Sequence, residues 1–194
     1  MVLKEAKISD EAELESLLVK DPNQIEENFK IITYRRQTSR LKRLAFLGVN
    51  SEGILTLIEL KVTSDENQLK QALEYYDWLM EQGIDWIADA YKERLQGVIL
   101  KEHMPQIFLI APDFDDKLVK EAKYLRADIK LRLFRYLALE INGNKEIKVI
   151  ETPIPPMREI EIKPRINGNK ETKIKETIKE CMGEELFKQL KNNV

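Results

Sequence analysis

The sequence predicts an α/β fold built on a mixed β-sheet flanked by helices, and three observations predict it. Apolar residues at helical spacing recur in separate stretches, short β-rich runs lie between them, and the order is helix, three strands, helix, strand, helix, strand. The composition agrees with a globular domain. Of 194 residues, 43% are apolar and 34% charged, and 32 Lys plus Arg nearly cancel 34 Asp plus Glu. One cysteine, Cys181, excludes a disulfide framework or a thiolate zinc site, and one histidine, His103, excludes a multi-histidine metal site. No apolar run reaches the ~20 residues of a membrane span, and Met1 to Asp10 lacks a signal-peptide pattern, so a cytoplasmic protein is expected.

Ser9 is placed to cap a first helix carrying Leu14, Leu17 and Leu18, which ends near Asp21-Pro22. Phe29 to Tyr34 is β-rich. Leu41 to Val49 and Ile54 to Val62 flank Asn50-Ser51-Glu52-Gly53 and form a hairpin. From Asn67 a long helix places Leu69, Ala72, Leu73, Tyr76, Leu79 and Met80 on one stripe, with Gly83 interrupting before a second helix over 85–95. Gln71, Tyr75 and Trp78 fall on the opposite side of this wheel. That side therefore has a second contact: a partner subunit (a homodimer), the C-terminal appendage or stacked bases. Gln106 to Ala111 is a buried strand closed by Pro112, and Leu118, Val119, Ala122 and Leu125 mark a helix. In the next strand Ile129, Leu131, Leu133, Leu137, Leu139 and Ile141 share a face. Arg135 breaks that face, either as a bulge marker or as a base aimed into a cleft. Glu146 to Glu151 is the last strand. The near repeat Ile141–Lys148 and Ile166–Lys173 is two Asn-Gly turns of similar composition. The chain thus divides into a domain over 1–151, a proline-rich connector over 152–165 holding four of the seven prolines, and a small C-terminal helical appendage over 166–194.

Charge is unevenly spread. Ser9 to Phe29 carries seven acids and one lysine, whereas Tyr34 to Arg43 carries five bases and no acid. Arg35, Arg36, Arg40, Lys42 and Arg43 suit an anionic partner such as nucleic acid, or else the charges protect a solvated edge strand. The chemistry concentrates at Ile58-Glu59-Leu60-Lys61-Val62. Two residues apart on a strand, Glu59 and Lys61 share one face, where a carboxylate can hold a dication and an amine can orient an attacking water, or the two form a plain salt bridge. His103 before Pro105 is expected to face solvent, and Cys181 to be a small core residue.

These residues carry a family resemblance. Arg43 to Val49, Gly53 to Lys61, Gln71 to Tyr75 with Trp78-Leu79, and Ile107 to Pro112 resemble the PD-(D/E)XK nucleases, most of all the NucS-type and tRNA-endonuclease-like domains, over roughly 9–151. The resemblance implies a restriction-endonuclease-like fold and a metal-dependent endonuclease acting on DNA in preference to RNA. It makes Glu59 and the Leu60 carbonyl magnesium or manganese ligands, Lys61 the water-orienting base, Gln71 a supporting residue, and Glu11 (ahead of Glu15 and Glu13) the first-helix acid. One departure stands out: Ala45 occupies the position where the family carries its metal-binding aspartate. Magnesium or manganese binding is then weak or absent unless compensated, and the alternative is a non-catalytic nucleic-acid-binding or assembly module on the same fold.

Overall fold

The computed structural model describes residues 3–36, 44–125 and 128–156; the connector beyond Pro156, the appendage and Cys181 lie outside the described residues. The chain begins with a short strand that the sequence reading did not contain, β1 (Leu3–Glu5), followed by α1 (Glu11–Lys20) and a 3-10 turn at Pro22–Gln24. Strands β2 (Lys30–Arg36), β3 (Leu44–Val49) and β4 (Leu55–Leu60) precede the helices α2 (Gln68–Gln82) and α3 (Ile84–Ala90). Then come β5 (Gln106–Ala111), α4 (Asp116–Leu125), β6 (Leu131–Ile141) and β7 (Asn144–Thr152).

Among the described residues the strands form one mixed sheet in the order β1-β6-β5-β4-β3-β2, with β7 on the other edge of β6. The pairs β4–β5 and β5–β6 are parallel and the rest antiparallel. Parallel pairing at the centre demands helical crossovers, and α2 with α3, then α4, supply them. Central strands β4 and β5 are buried along their whole length, as expected for strands covered on both faces. On one face Leu14 and Leu18 of α1 pack with Phe46, Ile58, Phe108 and Ile110. On the other, α2 and α4 cover Leu47, Leu57, Ile107 and Leu109.

Local chemistry explains the boundaries. Asp10, not Ser9, caps α1: its carboxylate accepts from the Glu13 amide at 2.8 Å, while the Ser9 amide donates back to Glu13 Oε2 at 2.7 Å. This is a reciprocal capping arrangement displaced by one residue from the expected start. The β3–β4 turn is held by Asn50 Oδ1, which accepts from the amides of Glu52 and Ile54. Gly53 in that turn has φ +83°, and a Cβ there would come within 2.3 Å of the Ile99 carbonyl oxygen, so glycine is required twice over. Asn142 and Gly143, with φ 51° and 82°, make the β6–β7 turn.

Strand β6 corrects the alternation read from sequence. Leu131 and Leu133 are buried on the α2/α4 side, but from Phe134 onward the buried residues are Phe134, Tyr136 and Ala138, and Leu137 is 46% exposed. The first half of β6 pairs with β5 beneath α4, whereas its second half lies beyond β5 and packs only against the α1 side. Arg135 marks no bulge, because the β6–β7 register runs unbroken from Leu133 to Ile141. Nor does it enter a cleft: it is exposed and pairs with Asp113 at 2.6 Å. Met80, expected in the core stripe of α2, is 41% exposed, and the buried set is Gln68, Leu69, Ala72, Tyr76, Trp78 and Leu79. Trp78 meets Trp86 of α3 edge-on at 6.0 Å, so α3 provides its contact.

Arg132 ties the sheet on the α1 side. Its guanidinium lies 4.8 and 4.9 Å from the Phe108 and Phe134 ring centres and bonds both oxygens of Glu151, with a third bond to Glu26. Replacing it by alanine leaves two carboxylates without their cation and is expected to cost about 1–2 kcal/mol, read as a lower urea midpoint at unchanged slope.

Candidate functional site

The site lies at the C-terminal end of β4. The β3–β4 register ends at the Phe46–Ile58 pair, and Ala45 and Glu59 each stand one residue past it on their strands. Beyond that point a cleft of about 210 Å³ opens, lined by Glu11 and Glu15 of α1, Glu59, Leu60 and Lys61 of β4 and its end, and Gln71 and Tyr75 of α2. The helix acids are thus brought to the strand end from one side and Gln71 from the other.

Lys61 Nζ sits 3.4 Å from Glu59 Oε1 and 3.8 Å from Asp65 Oδ2. Asp65 is itself fixed, since its other oxygen accepts the Asn67 amide at 2.8 Å at the start of α2. Glu59 is 5% exposed, and burial pushes its carboxyl up to about 7, against the opposing pull of the Lys61 ammonium; Glu11 and Asp65 add to the rise. Glu15 is buried as well. Glu13 points elsewhere: Lys145 and Ser9 bond its carboxylate and hold it down at about 2.

Two contributors were not foreseen in the sequence. Gln68 is fully buried, and its side-chain amide donates to the carbonyls of Glu59 at 2.9 Å and Ile110 at 3.2 Å, pinning α2 to the ends of β4 and β5. Asp65 is the other. Asp65 was readable as spacing, four residues after Lys61; Gln68 offers only its place one turn before Ala72, which does not by itself mark a glutamine as buried.

The divalent cation implied by the family resemblance does not fit the residues present. Among the described residues no group of three or more His, Cys, Asp or Glu side chains is placed to hold a metal ion. The carboxylate best placed for one, Glu59, already faces the Lys61 ammonium. A magnesium site draws on several oxygen ligands with carboxylates among them, and position 45 supplies an alanine. Of the basic segment, Arg35 and Arg36 lie at the end of β2, where Arg36 pairs with Leu44 of β3; Arg40, Lys42 and Arg43 lie outside the described residues. No helix among the described residues is long and apolar enough to cross a membrane.

No family model matches the sequence, and no curated protein matches it significantly. Solved structures similar to it include a repair endonuclease from Pyrococcus abyssi, at 22% identity over 68% of this chain and 49% of that one, with a TM-score of 0.43. An EndoMS–dsDNA2 complex matches at 20% identity over 68% of this chain and 47% of that one, TM-score 0.41. SfsA from Pyrococcus furiosus in complex with Ca2+ matches at 14% identity over 76% and 63%, TM-score 0.35. The chain spans about half the length of the repair endonuclease and EndoMS chains.

Proposed function

We propose that this chain is a DNA-binding protein of nuclease-like build, whose phosphodiester-hydrolysing centre at Glu59 and Lys61 is weakened by the loss of a carboxylate at position 45. The observation that carries the reading is the Glu59–Lys61 pair, 3.4 Å apart in a cleft at the open end of β4. A carboxylate 5% exposed and held near 7 is costly to keep at a strand end, and such groups concentrate where chemistry needs them. In the hydrolytic reading Lys61 orients a water toward phosphorus and Glu59 accepts its proton, while the P–O bond to the opposite ester oxygen breaks and that oxygen leaves with a proton from solvent. Gln71 and Tyr75 line the path by which a backbone would reach them.

Topology supports DNA as the partner. Arg35 and Arg36 end β2, and Arg36 pairs with Leu44, one residue from Ala45, so these two bases stand at the sheet end that carries Glu59; the sequence between the strands adds Arg40, Lys42 and Arg43. Although Glu11, Glu15 and Glu59 all line the cleft, no three such groups among the described residues are placed to hold one ion, which favours the second reading, a module that binds nucleic acid without cleaving it.

Fluorescence anisotropy with DNA in EDTA, over a salt series, tests the proposal. Binding is expected to weaken with salt along a log–log slope no steeper than about −4.5, the value for five phosphates at roughly 0.9 each. Arg35→Glu with Arg36→Glu is expected to weaken it by about tenfold or more at low salt. Absence of binding, or binding indifferent to salt, refutes the DNA reading. Rapid cleavage by the unaltered chain with magnesium or manganese refutes the weakened centre, and no cleavage after prolonged incubation selects the binding-only module.

A further inference from the structure

Away from the Glu59 cleft, a groove runs along the C-terminal end of α2, α3 and the segment that follows, mainly apolar in one lobe and mixed in the next. One lobe, about 330 Å³, has Leu55, Leu79 and Pro105 as its buried floor and Met80, Ile84 and Met104 as its walls. The next, about 350 Å³, shares Ile84 and Glu102 with it and continues over Ala88, Leu95, Val98 and Leu100. Met80 and Met104 are 41% and 57% exposed. Two flexible thioethers on the wall of a groove adapt to whatever side chain enters it.

The groove is built in advance of any ligand. Its far wall, residues 91–105, contains no helix or strand, a length of irregular chain that ordinarily serves a purpose. It is nevertheless pinned: the Lys101 amide bonds the Gly53 carbonyl at 2.9 Å, the Val98 amide bonds Leu95 at 2.8 Å, and Lys30 Nζ reaches the Gln96 carbonyl at 3.0 Å. A fixed wall lowers the ordering cost of binding.

Charge selects the occupant. From Asp77 to Asp89 the chain carries four exposed carboxylates at four-residue spacing, Asp77, Glu81, Asp85 and Asp89, and no base. Asp85 and Glu102 reach the groove itself, with Lys92 and His103 as the opposing groups on its lining. We propose that this groove receives one amphipathic helix of a partner protein, its apolar stripe lying over Ile84 between Met80 and Met104 and its basic residues meeting Asp85 and Glu102 on the groove's lining.

The test uses the full chain with methionine methyls labelled for NMR. The probes are two synthetic helices of about five turns (roughly 18 residues), one of leucine and lysine and one of leucine and glutamate. The leucine–lysine helix is expected to shift the Met80 and Met104 methyls, leave the other methionines unmoved, and bind about tenfold or more tightly than its acidic counterpart. Ile84→Glu, at a half-buried position whose change spares the sheet, abolishes the shifts. Asp85→Lys with Glu102→Lys reverses the preference toward the acidic helix. The proposal is overturned if neither methyl responds, or if both helices bind equally. It is equally overturned if the methyls shift with protein concentration alone, which would make a second copy of the chain the occupant.

Discussion

Ala45→Asp is expected to raise magnesium- or manganese-dependent DNA cleavage at least about a hundredfold over the unaltered chain, equivalent to roughly 2.7 kcal/mol of activation barrier. The backbone argues for the size of the effect. Ala45 and Glu59 each stand one residue past the last register pair of β3 and β4, on adjacent strands, beside a cleft already holding Lys61, Glu11 and Glu15. An aspartate there supplies the charged oxygen that the described donor set lacks. Single-stranded, branched and mismatched DNA are the substrates, and calorimetric titration with manganese reads affinity independently of turnover. Cleavage that appears in Ala45→Asp and vanishes in Ala45→Asp with Glu59→Gln places the chemistry at this strand end. If Ala45→Asp cleaves nothing and gains no manganese affinity while still binding DNA, the latent-centre reading loses its main support.

Much of the fold was legible because local pattern and tertiary environment agree. Gln106 to Ala111 is a continuous apolar run and forms a strand buried on both faces, and the 3.6-residue stripe of α2 faces the sheet at Leu69, Ala72, Tyr76 and Leu79. Where they disagree, tertiary placement decides. The odd-numbered leucines of β6 alternate cleanly, yet Leu137 is exposed and Tyr136 buried, because helix cover changes sides along a strand eleven residues long. No periodicity records which part of a strand has a neighbour. Strand β1 escaped for a related reason: three residues carry no pattern, and the pairing Leu3 with Ile141 is set by the other end of the domain.

The residues that line the candidate cleft were legible, and those that support it were not. Glu59 and Lys61 stood out because two charges on one face of an apolar strand are unusual, and the cleft also gathers Glu11, Leu60 and Gln71 at its lining. Gln68 did not stand out, since a glutamine among helix residues reads as solvated until its carbonyl partners from two strands are known. The resemblance ranks Glu11 ahead of Glu15 and Glu13, but local pattern does not separate the three. Their roles depend on the cap at Asp10 and on Lys145, which arrives from β7 and draws Glu13 away from the cleft.

Glu59→Gln is expected to stabilise the metal-free protein, and by an amount that depends on pH. Burial holds the Glu59 carboxyl near 7 in the folded chain, against an ordinary value of 4.5. Between these values the folded state keeps a proton that the unfolded state has lost, so the unfolded state binds fewer protons and stability falls as pH rises. The contribution is fully present below about 4.5 and is lost as pH passes through about 7. At roughly 1.4 kcal/mol per pH unit, the accumulated loss is on the order of 3 kcal/mol by pH 8. Glutamine has no such proton to lose. Urea unfolding in EDTA at pH 5 and pH 8 should therefore show the two proteins nearly equal at the lower pH and Glu59→Gln the more stable at the higher, even though it leaves Lys61 with Asp65 as its remaining partner. A gap that stays constant with pH would mean that Glu59 titrates in the ordinary carboxylate range. A gap that widens as predicted identifies a carboxylate maintained at the expense of stability, the signature of a group kept for its chemistry.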